Sequence, residues 1–423
     1  MKVLVLGSGA REHALVVALA RDPAVTDLVA APGNPGMAGV ARCLPVEVMD
    51  GAAVAALALE QGSDLVVVGA EAPLVAGVAD AVRAAGVACF GPGREAAALE
   101  GSKAFAKQVM AEAGVPTALA RVARTTDELA AALDALGPPY VVKDDGLAAG
   151  KGVVVTDDRA LALAHGTACL ARGGDARVVV EEFLAGPEVS LFCLTDGVDV
   201  VPLEPAQDFK RLGDGDTGPN TGGMGAYSPL PWADRDLAAD VVDRVAQPTI
   251  DVMRRRGTPF AGLLYVGLAI TSTGPRVVEF NARFGDPETQ VVLARLRTPL
   301  AGVLLAAATG ALGDLPPLRW SHGSAVTVVL ASPGYPASPS TGGVVEGLDV
   351  AGQVQGTVVL HAGTALDAAG RVVSAGGRVL SVVGTGADLA AARNGAYDAL
   401  SRISLDGGQF RTDIAAAAAG EPS

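Results

Sequence analysis

Apolar runs alternate with alanine-rich stretches through the first hundred positions of the chain. The runs "KVLVLG" from Lys2, "DLVAAPG" from Asp27, "DLVVVG" from Asp64 and "VACFGP" from Val87 read as strands, and the alanine-rich stretches between them read as helices. Strands separated by helices of this length predict a parallel, doubly wound sheet. Such sheets bind ligands at the carboxyl ends of their strands, where the glycine-bearing loops fall here.

The pattern changes near Gly101. The stretch "EGSKAFAKQVMAEAGVPT" from Glu100 predicts a helix ended at Gly114, with Pro116 beyond it. Runs rich in β-branched residues follow: "YVVK", "GVVVTD", "RVVVEEF" and "EVSLFCLTD", with short helical stretches among them. They predict a small α+β lobe over about residues 116–186. Residues 213–229, "GDGDTGPNTGGMGAYSP", hold six glycines in seventeen positions and predict no regular element. Residues 234–256 have helical character, and "FAGLLYVGLAITS" and "PRVVEFNARF" predict paired strands. From about Leu315, the runs "SAVTVVLAS", "TVVLHAGT" and "RVLSVVGTG" and a helix over 387–403 predict a small mixed domain. The alanines of 415–419 predict a fraying end. The expected division is thus 1–100, 101–314 and 315–423.

Composition narrows the class. Half of the 423 residues are apolar and 18% are charged, which is globular. The longest apolar runs fall short of a bilayer span, and the N-terminus lacks the pattern of a signal peptide. Cys43, Cys89, Cys169 and Cys193 are scattered, as in a reduced cytoplasmic protein, and the four histidines have no metal-ligand spacing. A net charge of −14 argues against nucleic acid as a partner, but a small anion needs only a few local donors. Lysine is nearly absent. Of 32 basic residues only Lys2, Lys103, Lys107, Lys143, Lys151 and Lys210 are lysine. A chain that prefers arginine keeps lysine where a compact, swinging ammonium is needed, and phosphate is one such need.

Four segments carry chemistry. "GSGARE" at 7–12 follows the first strand and opens a helix. As a dinucleotide fingerprint it fails, since Glu12 stands where the third glycine belongs, but backbone amides at a helix N-terminus still suit a phosphate. "KDDGLAAGKG" at 143–152 is not a Walker A loop; a strand lysine, a glycine hinge and a second lysine suit two antiparallel strands gripping phosphates, against the alternative of a solvated hairpin. "VVVEEFLAGPEVS" places Glu181, Glu182 and Glu188 around a strand–loop–strand, where carboxylates suit ribose hydroxyls or an adenine amino group. In "VVEFNARFGDPE", Glu279, Asn281 and Arg283 share one strand face. A carboxylate beside an amide oxygen suits Mg²⁺ bridging phosphates, and an adjacent arginine suits charge developing on a transferred phosphoryl group.

These segments, with "APGNPG", "EAPLVAG", "LEGSKAF", "EEFLAGPE" and "EFNARFGDPETQ" in the same order, resemble the phosphoribosylamine–glycine ligase family, also called glycinamide ribonucleotide synthetases. The resemblance runs from Met1 into the C-terminal region, where "HAGT" and "GGRVL" also fit. It implies a Rossmann-like N-terminal domain, a two-lobed ATP-grasp core and a small mixed C-terminal domain. It also implies ligation of glycine to 5-phosphoribosylamine with ATP and Mg²⁺ or Mn²⁺, through glycyl phosphate, by a cytoplasmic monomer with no nucleic-acid or membrane partner.

By position, the resemblance implies ATP-phosphate contacts for Lys103, Lys143 and Lys151, and adenine and ribose contacts for Glu181, Phe183 and Glu188. It implies metal ligands at Glu279 and Asn281, and catalytic roles for Arg283, Asp286 and Lys143. Gly9, Arg11, Glu12, Asn34, Glu71, Asp208 and Arg211 fall to the phosphoribosylamine site. Two positions depart from the family pattern: Asp144 stands where alanine is usual, and Phe209 where histidine is usual. The competing readings are an ATP-grasp ligase for another acid and amine, or a nucleotide-binding protein without chemistry. The latter would tolerate loss of Arg283 or Asp286, and both are present.

Overall fold

The computed structural model describes residues 1–146 and 152–420. β1 (Lys2–Gly7), β2 (Asp27–Pro32), β3 (Arg42–Cys43), β4 (Leu65–Val68) and β5 (Ala88–Phe90) form one parallel sheet in the order β3-β2-β1-β4-β5. Val3 to Leu6 and Leu65 to Val68 are buried. Strands covered on both faces read as continuous apolar runs, which is why this sheet was visible in the hydrophobic pattern. The chain order reverses at β1, so the loops after β1 and β4 flank a crevice.

The helix expected from Glu100 onward is interrupted at its start. One helix ends at Gly101 and the next spans Lys103–Ala113, with Ser102 between them accepting the Phe105 N–H at 3.1 Å. A serine hydroxyl competes for backbone donors and so favours a cap over a helix interior. Gly114 closes the second helix at φ 66°.

β6 (Ala120–Ala123), β7 (Tyr140–Asp144), β8 (Val153–Thr156) and β9 (Val178–Glu181) form an antiparallel sheet in the order β6-β9-β7-β8. It packs with the helices Thr126–Leu136 and Arg159–Leu170 around a core of its own, which includes Leu129, Leu133, Val142 and Val180. The chain then continues through β10 (Glu188–Asp196), β11 (Val200–Pro202), β12 (Gln207–Asp208), β13 (Arg211–Gly213), β14 (Thr217–Asn220), β15 (Gly225–Ser228), β16 (Ala261–Thr271) and β17 (Gly274–Asn281). Of these, β11-β10-β16-β17 make a second antiparallel sheet, and β13 and β14 pair as a ribbon. The last region holds β18 (Ser324–Ala331), β19 (Thr357–His361), β20 (Thr364–Leu366), β21 (Val372–Ser374), β22 (Arg378–Gly386) and a helix at Leu389–Leu400.

Two expectations are corrected. Residues 213–229 are not free of regular structure: β14 and β15 lie within them, and β15 is buried in the sheet β12-β15-β18-β22-β19. Its partner β18 supplies the hydrogen bonds that its own glycine-rich sequence does not advertise. The alanine tail does not fray at its start either. Ile414, Ala415 and Ala416 are buried, and the Ile414 N–H donates to Tyr397 Oη at 3.2 Å. Small side chains fit where the chain runs close under the last helix. Among the described residues, no helix is long and apolar enough to cross a membrane. One apolar cluster joins Leu4, Val266, Phe280, Val328 and Val382, so the three regions share a core.

Candidate active site

Arg11 and Glu71, just beyond β1 and β4, form one wall of a cavity of about 430 Å³. That size suits a small-molecule ligand. The small-lobe sheet and the β10–β17 sheet close the other sides. Lys103, Lys107, Lys143 and Lys210 all line it. Lys151 lies outside the described residues.

The lysines are placed by sheet register. On the β7–β9 pair, Val141 lies across from Glu181, so Lys143 is the diagonal neighbour of Glu181 on the same face. Lys143 Nζ is 2.7 Å from Glu181 Oε2 and donates to the Val278 carbonyl at 3.0 Å. The other oxygen, Glu181 Oε1, is 3.1 Å from Lys107 Nζ, which also donates to Thr117 Oγ1 at 2.8 Å. Burial lowers the Lys107 pKa, with Glu181 pulling the other way. Lys103 Nζ donates to the Gly146 carbonyl at 2.9 Å, which ties the helix Lys103–Ala113 to the loop after β7. Asp144 faces away from Lys143 and pairs with Arg172, so its carboxylate is answered outside the cavity.

Glu279 and Asn281 sit near the end of β17. Gly267 lies across from Glu279 on β16, and a Cβ there would lie 3.3 Å from Glu279 Cγ. The glycine leaves the carboxylate its space. Neither the Glu279 carboxylate nor the Asn281 amide is tied to another side chain among the described residues, and both line the cavity. Burial works against the Glu279 charge, but Lys210, Lys143, Lys103 and Arg283 around it hold its pKa below the usual range. A carboxylate and an amide oxygen with open lone pairs fit a hard divalent cation that takes its other ligands from phosphate and water. Among the described residues no cluster of His, Cys, Asp and Glu makes a complete protein cage.

Arg283 is fixed from two sides. Its Nε lies 3.1 Å from Glu71 Oε2, and a terminal nitrogen lies 3.2 Å from Glu100 Oε1. Glu100 Oε2 in turn accepts the Ala282 N–H at 2.7 Å. Burial opposes the guanidinium charge, and Glu100 and Glu71 more than restore it, so its pKa is raised. Arg11 donates to the Phe284 carbonyl at 3.1 Å and is held by Glu12, 2.6 Å away. Asp286 accepts from Gln290 at 2.8 Å and pairs with Arg378 at 3.1 Å. Burial pushes the Asp208 carboxyl up to about 7, against the pull of Lys210 and with Glu288, Glu188 and Glu279 adding to the rise.

Sequence models of the phosphoribosylglycinamide synthetase N domain, ATP-grasp (A) domain and C domain match residues 1–100, 101–289 and 325–417. The chain belongs to the phosphoribosylglycinamide synthetase family. It is 68% identical over 99% of its length to the whole of a phosphoribosylamine–glycine ligase from Streptomyces coelicolor. It is 60% identical, over 99% of this chain and 100% of the relative, to one from Leifsonia xyli. The crystal structure of a phosphoribosylamine–glycine ligase from Thermotoga maritima matches at a TM-score of 0.85 and 33% identity, over 98% of this chain and 100% of that one.

In this synthetase, the cavity gathers Arg11, Glu71, Lys103, Lys143, Glu181, Phe183, Glu188, Asp208, Glu279, Asn281, Arg283 and Asp286 from the positions singled out in the sequence. Four others stand back from it. The Gly9 N–H donates to Glu12 Oε2 at 2.8 Å, so this pair sets the helix start and Arg11. Asn34 spends its amide on the Ser8 and His361 carbonyls, at 2.8 and 2.9 Å. Arg211 is exposed and bonds the Gly218 carbonyl at 2.6 Å within its own ribbon. The synthetase also brings in residues that sequence reasoning missed: Glu100, Lys107, Lys210, Tyr265, Glu288 and Arg378. The scarcity of lysine was a signal for Lys107 and Lys210. Glu288 had none, because its role is set by contact: Tyr265 and Ser190 hydroxyls meet its Oε1 at 2.8 and 3.0 Å. Phe209 packs against Tyr227 and under the Arg411 guanidinium.

Proposed function

We propose that this cavity joins glycine to 5-phosphoribosylamine, with ATP giving ADP and phosphate, in de novo purine biosynthesis. The observation that carries the reading is the meeting of four lysines, the open Glu279–Asn281 pair and a doubly held Arg283 in one cavity. Two anions, a carboxylate and a triphosphate, approach each other only where positive charge is concentrated. The names of relatives at 60–68% identity supply the acid and the amine.

A carboxylate oxygen of glycine attacks the γ-phosphorus, and ADP leaves with the electrons of the broken P–O bond. The amine nitrogen of phosphoribosylamine then attacks the acyl carbon of glycyl phosphate, loses a proton, and phosphate departs. Lys103, Lys143 and Lys151 hold the phosphates, and Glu181, Phe183 and Glu188 border the adenine and ribose. Glu279 and Asn281 hold Mg²⁺ or Mn²⁺, which when bound neutralises phosphate charge. Arg283, kept charged by Glu71 and Glu100, faces the transferred phosphoryl group. Asp286 and Asp208 face the amine side with Arg11, while Gly9 and Glu12 act by placing Arg11, and Asn34 by tying the loop after β1 to the end of β19. The proposed division of the chain remains 1–100, 101–314 and 315–423, and the protein acts as a cytoplasmic monomer on small molecules alone.

The test is ADP release by the purified protein with each substrate omitted in turn. Turnover is expected only with Mg²⁺, glycine and phosphoribosylamine together, because a closed site shields glycyl phosphate from water. Rapid ATP turnover with neither glycine nor amine present would sink the ligase reading.

A further inference from the structure

Arg378 opens β22 in the C-terminal sheet, yet its guanidinium lines the same cavity as Glu279 and Arg283. One of its nitrogens donates to the Asp286 carbonyl at 2.7 Å and also reaches the carbonyls of Gly222 and Gly223. Another lies 3.1 Å from Asp286 Oδ2, while Gln290 donates to Asp286 Oδ1 at 2.8 Å. Both carboxylate oxygens of Asp286 are therefore fixed. Gly222 is gripped a second time from the same domain, because its N–H donates to Tyr335 Oη at 2.9 Å. Gly223 follows at φ 108°, and a Cβ there would lie 2.4 Å from Pro287 Cδ, so the turn rests directly on Asp286–Pro287. A planar guanidinium with several donors makes all these bonds at once; an ammonium does not. Its side chain is 21% exposed, so it is not an ordinary surface charge.

We propose that Arg378, assisted by Tyr335, is a positioning residue for the amine-transfer step. It holds Asp286 and the Gly222–Gly223 turn where phosphoribosylamine meets the acyl group, and thereby makes the C-terminal domain part of the site. The inference rests on the ligase reading above. The ATP-side groups Lys103, Lys143 and Glu181 have no bond to Arg378 or Tyr335 among the described residues, so the effect belongs to the amine and not to the nucleotide.

The test compares Arg378→Met, Arg378→Lys and Tyr335→Phe with the wild type in the full chain. Three quantities are read: kcat and KM for phosphoribosylamine, calorimetric affinity for MgATP without the other substrates, and melting temperature. Arg378→Met is expected to lose about ten- to a hundred-fold in kcat/KM for the amine, the range produced by roughly 1 Å of misplacement. Arg378→Lys should recover only part of that loss, and Tyr335→Phe should show a smaller loss of the same kind. MgATP affinity should be unchanged in all three. Unchanged amine kinetics in Arg378→Met would overturn the inference, and so would equal losses of amine kinetics and MgATP affinity. If Arg378→Met does not fold, the decision falls to Arg378→Lys and Tyr335→Phe by the same criteria. A wild type that releases no ADP in response to phosphoribosylamine would instead count against the ligase reading itself.

Discussion

Lysine and arginine carry the same charge, but at Lys143 their shapes decide the outcome. Lys143 is 4% exposed, with Nζ held between Glu181 and the Val278 carbonyl. A guanidinium is wider and planar, so it cannot occupy that point without moving the sheet or the carboxylate. Lys143→Arg is therefore expected to cost on the order of 100-fold in kcat/KM for ATP, although charge is conserved. Activity close to wild type would count against Lys143 as a phosphate contact and leave it a buried partner of Glu181. The metal pair has its own signature. Glu279→Gln keeps the shape but removes a negative charge from a hard-cation site, and Asn281→Ala removes a neutral oxygen. Both should impair turnover and regain part of it as Mg²⁺ or Mn²⁺ is raised. No recovery in a folded variant would count against the metal assignment, and full activity in both would remove it.

Between elements, the joint of the helix Ala10–Ala20 with β19 rests on two buried histidines. His13 Nδ1 accepts the His361 N–H at 2.8 Å, and His361 Nδ1 meets Thr364 Oγ1 at 3.0 Å. Burial, with His361 adjoining, lowers His13 to about 3, and burial lowers His361 to about 4. An unfolded chain takes up these protons near pH 6.5, whereas the folded chain refuses them until much lower pH. The joint is therefore fully stable above about pH 6.5 and weakens as pH falls toward the folded values. At pH 5 the cost is on the order of 2 kcal/mol per histidine. The wild type should lose more unfolding free energy between pH 7 and pH 5 than His13→Asn or His361→Asn; equal slopes would show that the pair titrates normally. Neither histidine could be assigned this task from spacing, since they stand 348 positions apart. Strands that carry their own signal were legible, as β16 and β17 were from two adjacent strand-like runs. β15 was not, because its strand character comes from burial between β12 and β18, while its own residues are glycine, alanine, tyrosine and serine. The site divides along the same line. Lys143 on β7 and the Glu279–Asn281 alternation on β17 follow local pattern, whereas Arg283, expected on the same strand face, lies beyond the end of β17 at Asn281. Glu100 and Arg378 owe their roles to contacts across 182 and 92 residues, which no window reveals.

At the scale of the molecule, the same strand decides how far the regions are independent. Residues 207–208 and 225–228 precede β16 and β17 in the chain, but they lie in one sheet with β18, β22 and β19. β15 pairs with β18 from Gly225 to Ser228, and Ala226, Tyr227 and Ser228 are buried there. A chain ending at Asp314 would leave β15 as an open edge with its apolar face uncovered. It would also lose Arg378 and Tyr335 from the turn at Gly222. Exposed edges and uncovered aromatic side chains favour aggregation over a smaller stable fold. A fragment of residues 1–314 is therefore expected to be insoluble or to melt without a cooperative transition, while the full chain should unfold in a single calorimetric transition. A soluble fragment that melts cooperatively and binds MgATP as the full chain does would show that the C-terminal region is an appendage. The shared core and the borrowed strand argue the opposite: the sheet of β18, β22 and β19 is completed by β12 and β15, which precede position 315 in the chain.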